Sequence, residues 1–468
     1  MSDPAELDKK FVWHPFTQMR DWLKRDPIVI ESGNGAVLRD TRGREYLDAN
    51  SSIWTNLHGH NHSKINAAIG RQFKKISHSS ALGLANVPAA QLAKRLVKAA
   101  NPHPKCKPYL SKVFFSDDGS TAVEVALKLA YVHAQRTGLA KRPSFLSLNG
   151  AYHGDTVGAV SLGHIDLFHK AYSGLLFKSD CVMAPYCYRC PFNRAKPERA
   201  DARDYRKCNF ECVGKVERKF AARKRKQNPY AAMVVEPTIQ GAAGMIPQPP
   251  GWLKQVAQIA RAHGTQIIAD EVMTGFGRTG ALFATQHENV QPDFLCLAKG
   301  MTGGYLPMAA TVTTSKVFSS FLGGYSEFKT FFHGHSYSGN QLGASAALAS
   351  FDILQSAAST RARLVLEKTL RQELNTLWSL PNVGDIRQAG LIVGIELVRD
   401  WRSRQPFALR EQAGIRVCEA MARRGVLTRP IGNVIVLMPP YCTTARQAAR
   451  MVRTLVDSIR EIFSVPKI

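Results

Sequence analysis

The chain has 468 residues, 45% of them hydrophobic, and a formal net charge of +26 at pH 7. That length and apolar content bury a large core in more than one structural lobe, which excludes a disordered chain or a small stapled scaffold. No apolar run reaches the length of a membrane span and none of signal-peptide type opens the chain, so a cytoplasmic protein without a membrane partner is expected. Nine cysteines are an odd count for a disulfide framework. Neither an internal repeat nor a low-complexity linker divides the chain into modules.

In chain order, three short strands are expected at 28–31, 36–39 and 45–48, joined by glycine turns. A helix follows, with Pro88 in its first turn, Leu92 and Leu96 on one face and Pro102 beyond its end. Residues 112–116 read as a strand, then Asp117, Asp118, Gly119 and Ser120 lead into a helix with Val125, Leu129 and Val132 on one face. Thr121 and Glu124 match the T-x-x-E capping box. Gly119 lets the backbone approach closely, and the free N–H groups of a helix start favour a phosphate, so Gly119 and Ser120 are candidate anion ligands. The strand 144–148 is followed by the loop 149–155, where Tyr152 can offer its ring to a flat ligand.

An insertion then carries Cys187-x-x-Cys190 and Cys208-x-x-x-Cys212. Each spacing suits a zinc site or a redox pair, yet the residues between hold no second glycine-rich knuckle, and no metal is assigned. The densest basic run, 217–226, follows Val213, Val216 and Phe220 at helical spacing. It predicts an amphipathic helix with its basic face in water rather than a nucleic-acid surface. A helix over 252–263 stops at Gly264. Gly275, Gly277 and Gly280 match the dinucleotide pattern G-x-G-x-x-G, but residues 281–283 open no helix behind them. They read instead as a glycine-rich loop over the carboxyl end of the preceding strand.

That strand, 266–269, closes on Asp270, and the next, 294–298, closes on Lys299. Two parallel strands ending side by side would bring a carboxylate and an amine to one pocket at the carboxyl edge of a sheet. This is the pair that pyridoxal phosphate requires. An amine condenses with its aldehyde, and a carboxylate keeps its pyridine nitrogen protonated so that the ring accepts electrons. Strands alternate with helices from 112 to 313, the pattern of a mostly parallel sheet covered on both faces. Beyond a helix at 342–354, shorter strands at 391–397, 426–429 and 434–438 flank a helix at 411–423. The expected α/β organisation is a large sheet domain over 85–345, with 1–84 and 346–468 forming a smaller lobe from both chain ends.

The segments NGAYHGDT (149–156), VVEPTIQGAAGM (234–245), IIADEVMTGFGRTG (267–280), LAKGMTGGYLP (297–307) and FFHGHSYSGNQLG (331–343) together resemble the class III, fold type I, pyridoxal-phosphate-dependent aminotransferases. WHPFTQM (13–19), SSIWTNLHGH (51–60) and LTRPIGNVIVLMPPY (427–441) are similar to the branch that converts 8-amino-7-oxononanoate to 7,8-diaminononanoate in biotin synthesis. The resemblance implies a homodimer with its active site at the interface. Lys299 would be the cofactor lysine and proton shuttle, Asp270 the partner of the ring nitrogen, and Tyr152 the ring cover. Gly119 and Ser120 would hold phosphate with Ser336 of the other subunit, and Glu236 would lie near the cofactor. Trp54, Asp155 and Arg429 match substrate positions, with Arg429 suited to the distant carboxylate. Phe16 and Ile53 stand where relatives using S-adenosylmethionine often carry tyrosine and tryptophan, and the form HGHSYSGNQ is closer to relatives using lysine, so the amino donor stays open. Two rival readings remain: another class III ω-aminotransferase acting on a diamine or ω-amino acid, and a basic nucleic-acid-binding protein on the same scaffold.

Overall fold

A computed structural model describes residues 3–102 and 108–463. The limits 1 and 468 of the expected lobes lie outside the described residues. The centre is a seven-stranded sheet in the order Leu110–Ser116, Ala309–Thr314, Phe294–Leu297, Gln266–Asp270, Tyr230–Val235, Ser144–Leu148, Asp180–Val182. Ala309–Thr314 runs antiparallel to both of its neighbours, and the remaining pairings are parallel. The alternation in the sequence thus becomes the mostly parallel sheet expected of it.

The central strands Phe294–Leu297, Gln266–Asp270, Tyr230–Val235 and Ser144–Leu148 are largely apolar because both faces are covered. Phe145, Ala232, Val234 and Ile268 pack towards the long helix Gly119–Arg136. Leu146, Leu148, Met233 and Val235 pack on the other side with Trp252 and Val256 of the helix Trp252–Ala262 and Val216 and Phe220 of Glu211–Arg225. Each such large apolar side chain contributes about 1.5–3 kcal/mol when fully buried. The helix Glu211–Arg225 buries Val213, Val216 and Phe220 and leaves Arg218, Lys224 and Arg225 exposed, a solvated basic face as expected.

The chain ends share structure. Strands Ile30–Asn34, Val37–Asp40 and Glu45–Asp48 form an antiparallel set, extended in parallel by Val426–Leu427. The register Val426↔Leu47 ties the N-terminal strands to the C-terminal segment. A second C-terminal sheet pairs Val383–Ala389, Ile392–Asp400, Val434–Leu437 and Pro430–Ile431. The strand expected over 426–429 stops at Leu427, since Pro430 begins a strand in another sheet.

The cysteine insertion docks on that second sheet through arginines. Arg189 donates to Glu396, Arg199 to the carbonyls of Leu380 and Val383, and Arg203 to that of Gln388. Cys187 and Cys212 are buried, which pushes their thiols up to about 12 and about 11. Among the described residues, no three His, Cys, Asp or Glu side chains converge as metal ligands, and no helix is long and apolar enough to cross a membrane.

Candidate active site

The carboxyl ends of the two central strands meet as their apolar runs predict. Asp270 aligns with Cys296 in parallel register, which leaves Lys299 just past the end of the neighbouring strand. There it opens the turn Lys299–Thr302 with a left-handed backbone, φ 41°. Burial pulls the Lys299 amine below its ordinary pKa, against the opposing carboxylates Asp270 and Glu236, with Arg278 adding to the downward shift. A buried amine drawn towards its neutral form is a nucleophile and a base.

Asp270 has a partner that the sequence reading passed over. His153 Nδ1 lies 2.7 Å from Asp270 Oδ2, and its side chain has no exposed surface. Burial alone would lower the His153 pKa, but the hydrogen bond and charge of Asp270, with Glu236 behind them, raise it. His153 Nε2 is buried without a partner. The other Asp270 oxygen accepts from the Val272 amide at 3.1 Å. The only signal for this histidine was its place inside the NGAYHGDT loop, beside the tyrosine that drew attention.

Glu236 accepts from the amides of Gly241 at 2.7 Å and Tyr152 at 3.4 Å. Its burial pushes it up to about 7. Tyr152 donates to Asp155 Oδ2 at 2.7 Å and stacks near-parallel on His169, with ring centroids 6.3 Å apart.

The phosphate-sized end is built at the start of Gly119–Arg136. The capping box is formed by Asp118 and Thr121, one turn ahead of the expected Thr121–Glu124 pair. Glu124 turns away from that role because its carboxylate receives Thr156 Oγ1 and the amides of Gly158 and Ala159, orphan donors at another helix start. Ser120 Oγ pairs with Thr156 Oγ1 at 2.7 Å. The wall is closely packed: a Cβ at Gly154, where φ is +118°, would fall 2.3 Å from Ser120 Oγ. Only glycine permits this close approach of the Gly154 backbone to Ser120 at the helix start.

A cavity of about 740 Å³ brings Gly119, Ser120, Tyr152, Glu236, Asp270 and Lys299 together, with Trp54 and Asp155 at its wall. The Lys299 amine sits 4.8 Å from the Trp54 ring centroid. Three expected substrate residues lie elsewhere in this chain. Ile53 and Arg429 line a neighbouring cavity of about 600 Å³, together with Asp48 and Arg423. Phe16 is 65% exposed and reaches Tyr152 only through Phe168, edge-on to both rings. Ser336 is exposed on the loop whose His335 pairs with Asp117 at the cavity rim.

Ser51, Ser52, Ile53 and Trp54 all have left-handed backbone, φ 47°, 48°, 71° and 69°. For L-residues this costs about 1–2 kcal/mol each. The turn is held by bonds from the amides of Trp54 to Asn50 O and Thr55 to Ser51 O.

The model of the class-III aminotransferase family matches residues 20–459. An adenosylmethionine-8-amino-7-oxononanoate aminotransferase of Nitratidesulfovibrio vulgaris is 47% identical, over 97% of this chain and 81% of its own. One from Geobacter sulfurreducens is 45% identical over 98% and 97%. The crystal structure of the enzyme of that name from Methanocaldococcus jannaschii superposes with a TM-score of 0.89 at 40% identity, covering 98% of both chains. The omega transaminase of Pseudomonas jessenii in complex with PMP gives 0.88 at 27% identity, covering 98% of both chains. Carboxylate, amine and anion cradle at one sheet edge agree with these matches, and the chain belongs to the class-III aminotransferases.

Proposed function

We propose that this protein is a pyridoxal-phosphate-dependent aminotransferase that converts 8-amino-7-oxononanoate to 7,8-diaminononanoate, the step of biotin synthesis. The observation that carries the reading is Asp270 and Lys299 brought together at the carboxyl ends of adjacent parallel strands, beside Gly119 and Ser120 at a helix start, in a chain 45–47% identical to relatives of that name. When bound, pyridoxal phosphate supplies an aldehyde that takes up amines and a ring that accepts the electron pair released at the donor carbon. Gly119 and Ser120 would hold its phosphate, with Ser336 of a second copy completing the cradle in a homodimer. Asp270, with His153 behind it, would keep the ring nitrogen protonated, while Tyr152 and Glu236 flank the ring. Lys299 Nζ, drawn towards neutrality by burial, takes the proton from the donor α-carbon and later returns it. Trp54, Ile53 and Asp155 line the substrate path, and Arg429 faces the distant carboxylate as a guanidinium fork.

The donor is S-adenosylmethionine or lysine. Phe16 offers no hydroxyl and Ile53 no aromatic face to a sulfonium or an adenine, so the choice between the two donors falls to the assay. The superposition on an ω-transaminase keeps a wider ω-amine substrate as the second reading. The deciding assay supplies the loaded protein with 8-amino-7-oxononanoate and each donor and follows diaminononanoate by mass spectrometry. Product with either donor supports the reading. Failure with both, in a protein that still takes up the cofactor, moves the activity to ω-amines.

A further inference from the structure

The left-handed turn Ser51–Trp54 separates two cavities. Trp54 and Thr55 line the one that holds Lys299, while Ser52 and Ile53 line the one that holds Arg429. Left-handed backbone in consecutive non-glycine residues persists only where its surroundings over-determine it. The surroundings here converge on one carboxylate. Asp48 Oδ1 accepts from the amides of Asn50 at 3.2 Å and Ser52 at 3.1 Å. Its other oxygen takes Ser52 Oγ at 3.1 Å and faces His60 Nε2 at 2.9 Å. Asn56 braces the His60 ring from its far side at 3.0 Å and caps the Gly59 amide at 2.8 Å. Asn50 in turn accepts from the Trp54 indole at 2.9 Å, and Ser51 Oγ donates to Met438 O at 2.6 Å.

The turn is also seated on the loop that carries Lys299. A Cβ at Gly304 would fall 2.8 Å from the backbone of Thr55 and Asn56, and the Leu57 amide donates to Gly303 O. A shift of the turn would therefore move the Trp54 face relative to the Lys299 amine.

We infer that Asp48 is a positioning residue: by clamping the left-handed turn it sets the wall between the two cavities, holding Trp54 over Lys299 and Ile53 towards Arg429, and so fixes how a long substrate with a distant carboxylate spans them. This rests on the proposed transamination of such a substrate. Asp48 touches no reacting group; it holds the turn and itself forms part of the Arg429 cavity wall, so its loss falls on KM for the acceptor more than on kcat.

Ser52→Gly and Ser52→Val both remove the hydroxyl, but only glycine adopts φ 48° without strain, so comparing them isolates the backbone. S52V is expected to lose about 10-fold more kcat/KM than S52G, chiefly in KM for the amino-ketone acid, a misplacement-sized effect. The cofactor-free S52V protein should also unfold at a lower temperature than S52G. Asp48→Ala should raise the same KM, and Asp48→Asn, which keeps one acceptor for the two amides, should restore part of it. Should S52V not fold while S52G does, that contrast itself supports the strained turn, and the Asp48 pair supplies the kinetic readout. Equal kcat/KM and equal unfolding temperature for S52V and S52G, or unchanged KM in Asp48→Ala, overturn the inference. If wild-type protein aminates no amino-ketone acid, the functional reading fails, and the unfolding comparison still decides the turn.

Discussion

Removing His153 tests how the site holds charge at Asp270. His153→Ala deletes the one side-chain donor to Asp270 Oδ2 among the described residues, a buried bond of 2.7 Å, and leaves the Val272 amide on the other oxygen. A hydrogen bond to a charged group is worth about 1.5–3 kcal/mol net. Breaking a buried ion pair outright costs about 3–5 kcal/mol, which bounds the effect from above. If the lower range is expressed in the reacting state, kcat/KM falls by about 10- to 150-fold. His153→Asn, which can still donate an uncharged N–H, should lose less. The assay is a single-turnover reaction of the loaded variants with an amino donor, run beside the unfolding midpoint of the cofactor-free proteins. The pH dependence has a definite sign. A histidine whose pKa is raised by folding stabilises fully below its unfolded value of 6.5, and that stabilisation is lost as pH rises through the folded value. His153→Ala should flatten this part of the profile. Activity within threefold of wild type, with unaltered stability, would refute the charge-holding role.

Other outcomes follow from the same geometry. Glu236 is raised by burial from 4.5 to about 7, so it favours the fold at low pH and that contribution is lost as pH climbs from 4.5 to 7, by about 3 kcal/mol at most. Glu236→Gln should flatten cofactor-free unfolding midpoints across that window. Gly154→Ala sets a Cβ 2.3 Å from Ser120 Oγ at φ +118°, costing about 1–3 kcal/mol in backbone alone. Spectral titration should show weakened cofactor binding. Arg387 is fully buried between Asp385 at 2.9 Å and Glu396 at 2.7 Å, with Gly244 O as a further acceptor. Arg387→Met strands the buried Asp385 carboxylate, while Glu396 keeps Arg189 and Tyr186, and should cost about 3–5 kcal/mol in urea unfolding. Lys299→Ala should stay folded and lose turnover, and a variant with near-normal transamination would sink the assignment.

The sequence by itself determined the strands and the residues at their ends. Apolar runs such as 266–269 before Asp270 and 294–298 before Lys299 are local patterns dictated by burial on both faces of a sheet, the second ending as strand at Leu297. The same logic placed the helix Trp252–Ala262 and the basic face of Glu211–Arg225 within a residue or two. The tertiary structure decided which distant groups meet. His153 reaches Asp270 across 117 positions, His60 turns back onto Asp48, and Glu124 leaves its own helix start to cap another. Spacing along the chain carries no record of such contacts, because each is chosen by unpaired polar groups competing for partners once the backbone is packed. Ile53 and Trp54 show the division most plainly. They are adjacent in sequence and both were expected at the substrate, yet a left-handed turn assigns them to different cavities. Non-glycine side chains give no local signal for that conformation, since only the surrounding fold makes it affordable.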